Sequence, residues 1–99
     1  MILGYRDRRT ESFAGGGFVA AFQGFERQAA KRLSILNAAP SLETLRALPS
    51  NRLEALRGTR EGQFSVRINR RWQICFVWIS GPGPTDVEIV DYHWIVRMR

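Results

Sequence analysis

A single histidine, His93, closes the run Asp91-Tyr92-His93, and four arginines (Arg57, Arg67, Arg70 and Arg71) lie upstream on segments patterned as strands. Tyrosine and histidine both donate and accept protons, and histidine is the side chain whose unperturbed pKa lets it do so near neutrality. Guanidinium groups beside such a pair bind phosphate and stabilise a crowded anionic transition state. The same residues also fit a plainer reading, a surface histidine among solvated arginines. Other chemistries find less support. Ser65 lacks the flanking glycines of a nucleophile elbow. Cys75 sits mid-strand, where a packed thiol is expected, and has no second cysteine for a disulfide or zinc. Asp86, Glu88 and Asp91 alternate poorly and bring at most two carboxylates together, so neither a metal nor another cofactor is expected. The triplet Gly15-Gly16-Gly17 lacks the preceding strand and the following Lys-Ser or Lys-Thr of a phosphate loop, and reads as a helix end or loop.

The arginines are carried by residues 63–79, where two runs alternate with a period of two around a short polar break. That pattern predicts an antiparallel hairpin. Phe64, Val66 and Ile68 share one face of the first run, with Ser65, Arg67 and Asn69 opposite. Trp72, Ile74, Phe76 and Trp78 share one face of the second, with Gln73, Cys75, Val77 and Ile79 opposite. A slip of one residue would expose four large apolar groups, so the register is expected to be firm. Arg67 and Gln73 then point away from the core near the hairpin tip.

The rest of the chain covers or extends this hairpin. Residues 1–5 read as a short edge strand, and Thr10 with Glu11 as the cap of a short helix. From Phe18 onward, Phe22, Phe25, Ala29, Leu33 and Leu36 recur at helical spacing, predicting an amphipathic helix with Arg27, Lys31 and Arg32 on or near its wet side, Gly24 either interrupting it or starting its main segment. Pro40 stops it, Ser41 opens a second short helix, and Pro49 ends that one. Residues 52–57 and 86–93 read as further strands, 81–84 as a loop, and 94–99 as a short apolar-then-basic tail. The predicted class is α+β: a small antiparallel-rich sheet with N-terminal helices packed on one face. Phe64, Val66, Ile68, Trp72, Ile74, Phe76, Trp78, Leu33 and Leu36 are its expected core.

Ninety-nine residues, 44% of them hydrophobic, suit one domain spanning 1–99. No run is apolar enough to span a bilayer and no signal-peptide core opens the chain, so a cytoplasmic protein without a membrane role is expected. The formal charge of +6 favours an acidic partner such as nucleic acid. Fourteen of the fifteen basic residues are arginine, whose planar fork suits phosphate, although a codon bias would give the same composition.

Several blocks together resemble a known family: NRLEALRG (51–58), GQFSVRIN (62–69), WQICF (72–76) and VEIVDYH (87–93), with FQGFERQ (22–28) and the helix after it. In order and spacing they are similar to the HigB toxins of the RelE/ParE superfamily of type II toxin–antitoxin systems. The resemblance implies a ribosome-dependent endoribonuclease that cuts translated mRNA without a metal, and a HigA-type helix-turn-helix antitoxin as partner. It places Asp91, Tyr92 and His93 in the catalytic segment with Arg67, and Arg57 at a usual basic position; Arg70, Arg71 and Gln73 are taken as RNA-binding on their position, Arg70 and Arg71 standing where the family usually has acidic or amide residues. Family members usually carry arginine where this chain has Gln73, which lacks an arginine's charge-assisted hold on phosphate. Arg71, two residues earlier on the same expected strand face and about 7 Å away, is the available substitute. An attenuated toxin, or a toxin-fold module that binds antitoxin and RNA but cuts little, is the alternative. The gyrase-directed branch fits the tyrosine–histidine ending less well.

Overall fold

This computed structural model describes residues 1–93. Four strands, β1 (Glu54–Ala55), β2 (Phe64–Arg67), β3 (Trp72–Ile79) and β4 (Gly83–Asp91), form one antiparallel sheet in chain order. The expected hairpin is β2–β3. Phe64 pairs with Phe76 and Val66 with Ile74, while Ser65 pairs with Cys75 and Arg67 with Gln73. Paired residues share a face, so the apolar rows of both strands meet on one side of the sheet. Val87 and Ile89 of β4 join them there, fully buried. β4 keeps that phase by way of an irregularity: pairing shifts between Cys75 and Val77, and Asp86 opposite takes a left-handed φ of 53°. A bulge of this kind puts one extra residue into a strand and resets which side chains face inward.

Three helices, α1 (Arg8–Ala14), α2 (Glu26–Ala38) and α3 (Leu42–Ala47), accompany the sheet. The main core joins Phe22, Phe25, Ala29, Leu33, Leu36 and Leu45 to Val66, Ile68, Ile74, Phe76, Val87 and Ile89. Of the expected core, Phe64, Trp72 and Trp78 are only partly buried and lie against its edge. The opposite face of the sheet carries a smaller cluster, Leu56, Cys75 and Val90. The helices α1, α2 and α3 contribute to the main core on the first face, not to this second one.

Several local expectations are corrected. The helix begins at Glu26, just after Gly24, the later of the two starts that the sequence left open, because Gly24 adopts φ +98° and a right-handed helix cannot run through it. Phe22 still reaches the core from a single 3₁₀ turn, Ala20–Phe22, whereas Phe18 is exposed. The cap of α1 is Asp7, whose carboxylate accepts from the Thr10 backbone N–H at 3.3 Å. Thr10 is instead fully buried, and its hydroxyl accepts from the Ile89 N–H of β4 at 3.0 Å. Residues 1–5 make one parallel bridge, Tyr5 to Val87, in place of a regular strand. The strand expected over 52–57 shrinks to the two residues of β1, and Gly83 and Pro84 belong to β4 instead of a loop. Ser41 caps α3 as expected, accepting from the Thr44 N–H at 3.3 Å. The tail, 94–99, lies outside the described residues.

Two outcomes follow from this packing. Phe76 is wholly buried between sheet and helices, so Phe76→Ala is expected to cost about 3–5 kcal/mol in chemical denaturation, and an unshifted midpoint would refute this core. Burial pushes the Cys75 thiol up to about 12, Glu88 adding to the rise while Arg60 and Arg6 oppose it. The native protein should therefore resist thiol alkylation, read by mass, until it is unfolded.

Candidate functional site

The tip of the β2–β3 hairpin is built by Asn69. Its side-chain oxygen accepts from the backbone N–H groups of Arg71 and Trp72, both at 2.8 Å, closing the turn as asparagine commonly does. Its own carbonyl accepts from Arg67 Nε at 3.2 Å. That bond fixes the guanidinium of Arg67 by one nitrogen and leaves its outer edge available to a ligand.

Behind the tip, on the face opposite α1, α2 and α3, lies a cleft of about 260 Å³ lined by Arg52, Glu54, Arg67, Arg70, Gln73 and Tyr92. Three guanidinium groups thus surround one carboxylate, one amide and one phenol. Gln73 is nearly buried at 8% exposure, while Arg52, Arg70 and Tyr92 stand open to solvent. Register explains the gathering: Gln73 faces Arg67 on one side and Val90 on the other, and Glu54 faces Ser65 two residues from Arg67. The Tyr92 N–H donates to the Arg71 carbonyl, which carries the end of β4 back to the hairpin tip.

Four of the residues expected to act together therefore share the cleft: Arg67, Arg70, Gln73 and Tyr92. Asp91 does not. It pairs with Trp72, and adjacent residues of a strand point to opposite faces, so it lies on the helix side with Phe25 and Trp72. There its carboxylate accepts from Arg71 Nε at 2.8 Å and from the His93 N–H at 3.0 Å. Arg71 is thus committed to Asp91 and to the face of Trp72, 5.8 Å from the ring, and does not stand in for the missing arginine beside Gln73. The expected alternation fails for it because β3 begins only at Trp72, and residue 71 belongs to the turn. Arg57 is exposed at the start of the 3₁₀ turn Gly58–Arg60, and His93 is exposed after Tyr92; neither lines the cleft.

Arg52 and Glu54 are additions that the sequence pattern did not single out. Glu54 carried a faint signal, since in a strand over 52–57 it alternates with Leu53 and Ala55. Arg60 is a further surprise: 8% exposed, it donates to Glu88 at 3.2 Å and to Gln63 at 3.1 Å, holding the 58–63 turn against β4. Ser65 is buried between Glu54 and Cys75 in the sheet, where no substrate reaches it. Among the described residues no three His, Cys, Asp or Glu side chains gather as metal ligands, so no metal is assigned to the cleft.

Helices on one face of a four-stranded antiparallel sheet agree with the architecture of RelE-like toxins, and sequence comparison makes the point specific. The family model for the RelE-like HigB toxin of type II toxin–antitoxin systems matches residues 22–93, and the chain belongs to this HigB-like toxin family. Toxin HigB-1 of Vibrio cholerae serotype O1 (strain ATCC 39315 / El Tor Inaba N16961) is 39% identical over 51 residues, covering 52% of this chain and 54% of that toxin. The match thus spans about half of each. No helix among the described residues is long and apolar enough to cross a membrane.

Burial opposes ionisation of Asp91, but the hydrogen bonds from Arg71 and the His93 N–H outweigh it and hold the carboxyl below the usual aspartate range. A carboxylate with a depressed native pKa contributes stability above its unfolded value, about 3.9, and loses it as pH falls through the native value. Asp91→Asn should therefore lower Tm at neutral pH, and the gap from wild type should close below about pH 4. A gap constant from neutrality into acid would show that the pair contributes nothing.

Proposed function

We propose that this chain is a ribosome-dependent endoribonuclease that cleaves translated mRNA, with the arginine-lined cleft of the sheet face opposite α1, α2 and α3 as its active site. The observation that carries the reading is the convergence of Arg52, Arg67 and Arg70 on a space that also holds Glu54 and Tyr92. In this mechanism the ribose 2′ oxygen forms a bond to its own 3′ phosphorus while the bond from phosphorus to the 5′ oxygen breaks. The products are a 2′,3′-cyclic phosphate and a 5′ hydroxyl. Glu54, the carboxylate of the cleft, takes the 2′ proton, and one is returned to the leaving 5′ oxygen by Tyr92 at the cleft wall or by His93, which follows it outside the cleft lining and would have to turn toward bound RNA. The guanidinium groups stabilise the extra negative charge of the five-coordinate phosphorus, which exceeds that of the ground state. All of this uses side chains alone. The family resemblance supports a HigA-type helix-turn-helix antitoxin as the partner, and a ribosomal target places the protein in the cytoplasm.

A second reading is favoured by Gln73, a neutral side chain nearly buried in the middle of the cleft. It makes the chain a module that binds antitoxin and RNA but cuts little. Cleavage of mRNA on stalled ribosomes, at equal ribosome occupancy, separates the two. His93→Ala should lose about 10²–10⁴ of the rate, the usual scale for a general acid–base group. Gln73→Arg should raise the rate. Equal rates for wild type and His93→Ala would remove His93 from the mechanism, and binding without cutting by all three proteins would favour the module.

A further inference from the structure

Arg52 is one of two non-glycine residues with positive φ among the described residues, at φ 45° and ψ 55°; the other, Asp86, sits at the β4 irregularity. An L side chain is disfavoured in this left-handed region, where glycine is at ease. The surroundings over-determine the conformation. The Arg52 N–H donates to the Pro49 carbonyl at 3.1 Å, closing the 3₁₀ turn Pro49–Asn51. Asn51 is buried, donating to the Leu45 carbonyl at 3.0 Å and accepting from Arg32 at 2.9 Å. Two residues downstream, Glu54 is locked to Ser65 in the sheet. Between these fixed points the chain reverses at residue 52, and the reversal brings its long cationic side chain to the wall of the cleft, across from Arg67, Arg70 and Gln73.

We propose that Arg52 is a phosphate-binding residue of the cleft and supplies the positive charge that Gln73 does not. A strained residue retained at the wall of a candidate site is where such a role is to be sought. Arginine gains nothing over glycine from the backbone at this position; its side chain is what the position uses. The natural ligand rests on the RNA-cleaving reading above, but the phosphate contact itself is testable apart from it.

The variants are Arg52→Gly, which suits the left-handed backbone, and Arg52→Lys, which keeps the charge. Each is measured for thermal stability, for binding of a short fluorescein-labelled single-stranded RNA across a salt series, and for mRNA cleavage on ribosomes. Three arginine contacts to single-stranded RNA predict a slope of log affinity against log salt of about −2, and loss of one should make it shallower by about 0.7. Arg52→Gly should show that change with Tm unchanged or raised, and bind more weakly at low salt, while Arg52→Lys keeps the wild-type slope. A wild-type slope and affinity in Arg52→Gly would overturn the assignment. If the glycine variant loses stability, Arg52→Asn, which also tolerates this backbone, carries the same test. Should no protein cut mRNA while Arg52→Gly still shows the shallower slope, the nuclease reading falls and the Arg52 contact stands. Should Arg52→Gly cut and bind like wild type, the contact falls and the nuclease reading stands.

Discussion

Each step along β3 changes the side of the sheet that the side chain serves, and on that alternation the rest of the molecule depends. Ile74 and Phe76, both fully buried, can be packed only if that face carries the helices. Once it does, Gln73 and Cys75 must face the other way, and the pairing with β2 takes Arg67 and Ser65 with them. Burying one apolar row therefore places Arg67 and Gln73 with no separate device to aim them. Arg52, Arg70 and Tyr92 reach the cleft from segments beside the sheet, while Glu54, Arg67 and Gln73 are held by strands. Such support keeps a site within a narrow range of geometry.

Legibility from sequence followed the strength of this periodicity. The hairpin, its two faces and α3 with its Ser41 cap were all readable, because a period of two and a capping serine are local signals. Gly24, at ease in a left-handed turn, marked the break before α2 although Phe18, Phe22 and Phe25 keep helical spacing across it. What escaped depended on a backbone conformation that no residue type announces. The left-handed turn at Arg52 brought to the cleft an arginine read as the start of a strand. The site was half legible for the same reason. Arg67, Arg70, Gln73 and Tyr92 do share a cleft, whereas Asp91 stands on the opposite face from its neighbour. Asp91 ends β4 on the helix side, while Tyr92, just past the strand, lines the cleft.

The arginines also divide by duty, which the net charge conceals. Arg60 is enclosed and bonded to Glu88, Arg71 is held by Asp91, and Arg9 lies over Phe22 at 5.1 Å while pairing with Asp7 at 3.3 Å. Such groups act as long, partly apolar struts whose charge is answered within the fold. Arg52, Arg67 and Arg70 converge instead around a space with a single carboxylate. A formal charge of +6 thus describes two populations, and only the second concentrates positive potential at one place.

The tie between the N-terminal segment and β4 has a bearing on how copies of this chain meet one another. β4 is the last strand of the sheet, and an unpaired border of that length is a template for joining sheets end to end. Here the border is occupied. The Leu3 and Arg6 N–H groups donate to the carbonyls of Pro84 and Val87, the Val87 N–H donates to Gly4, and Thr10 and Arg9 take up the N–H and carbonyl of Ile89. At the far border β1 offers only two residues. The first ten residues therefore work as a selvedge, finishing the woven edge so that one molecule's sheet is not continued by the next.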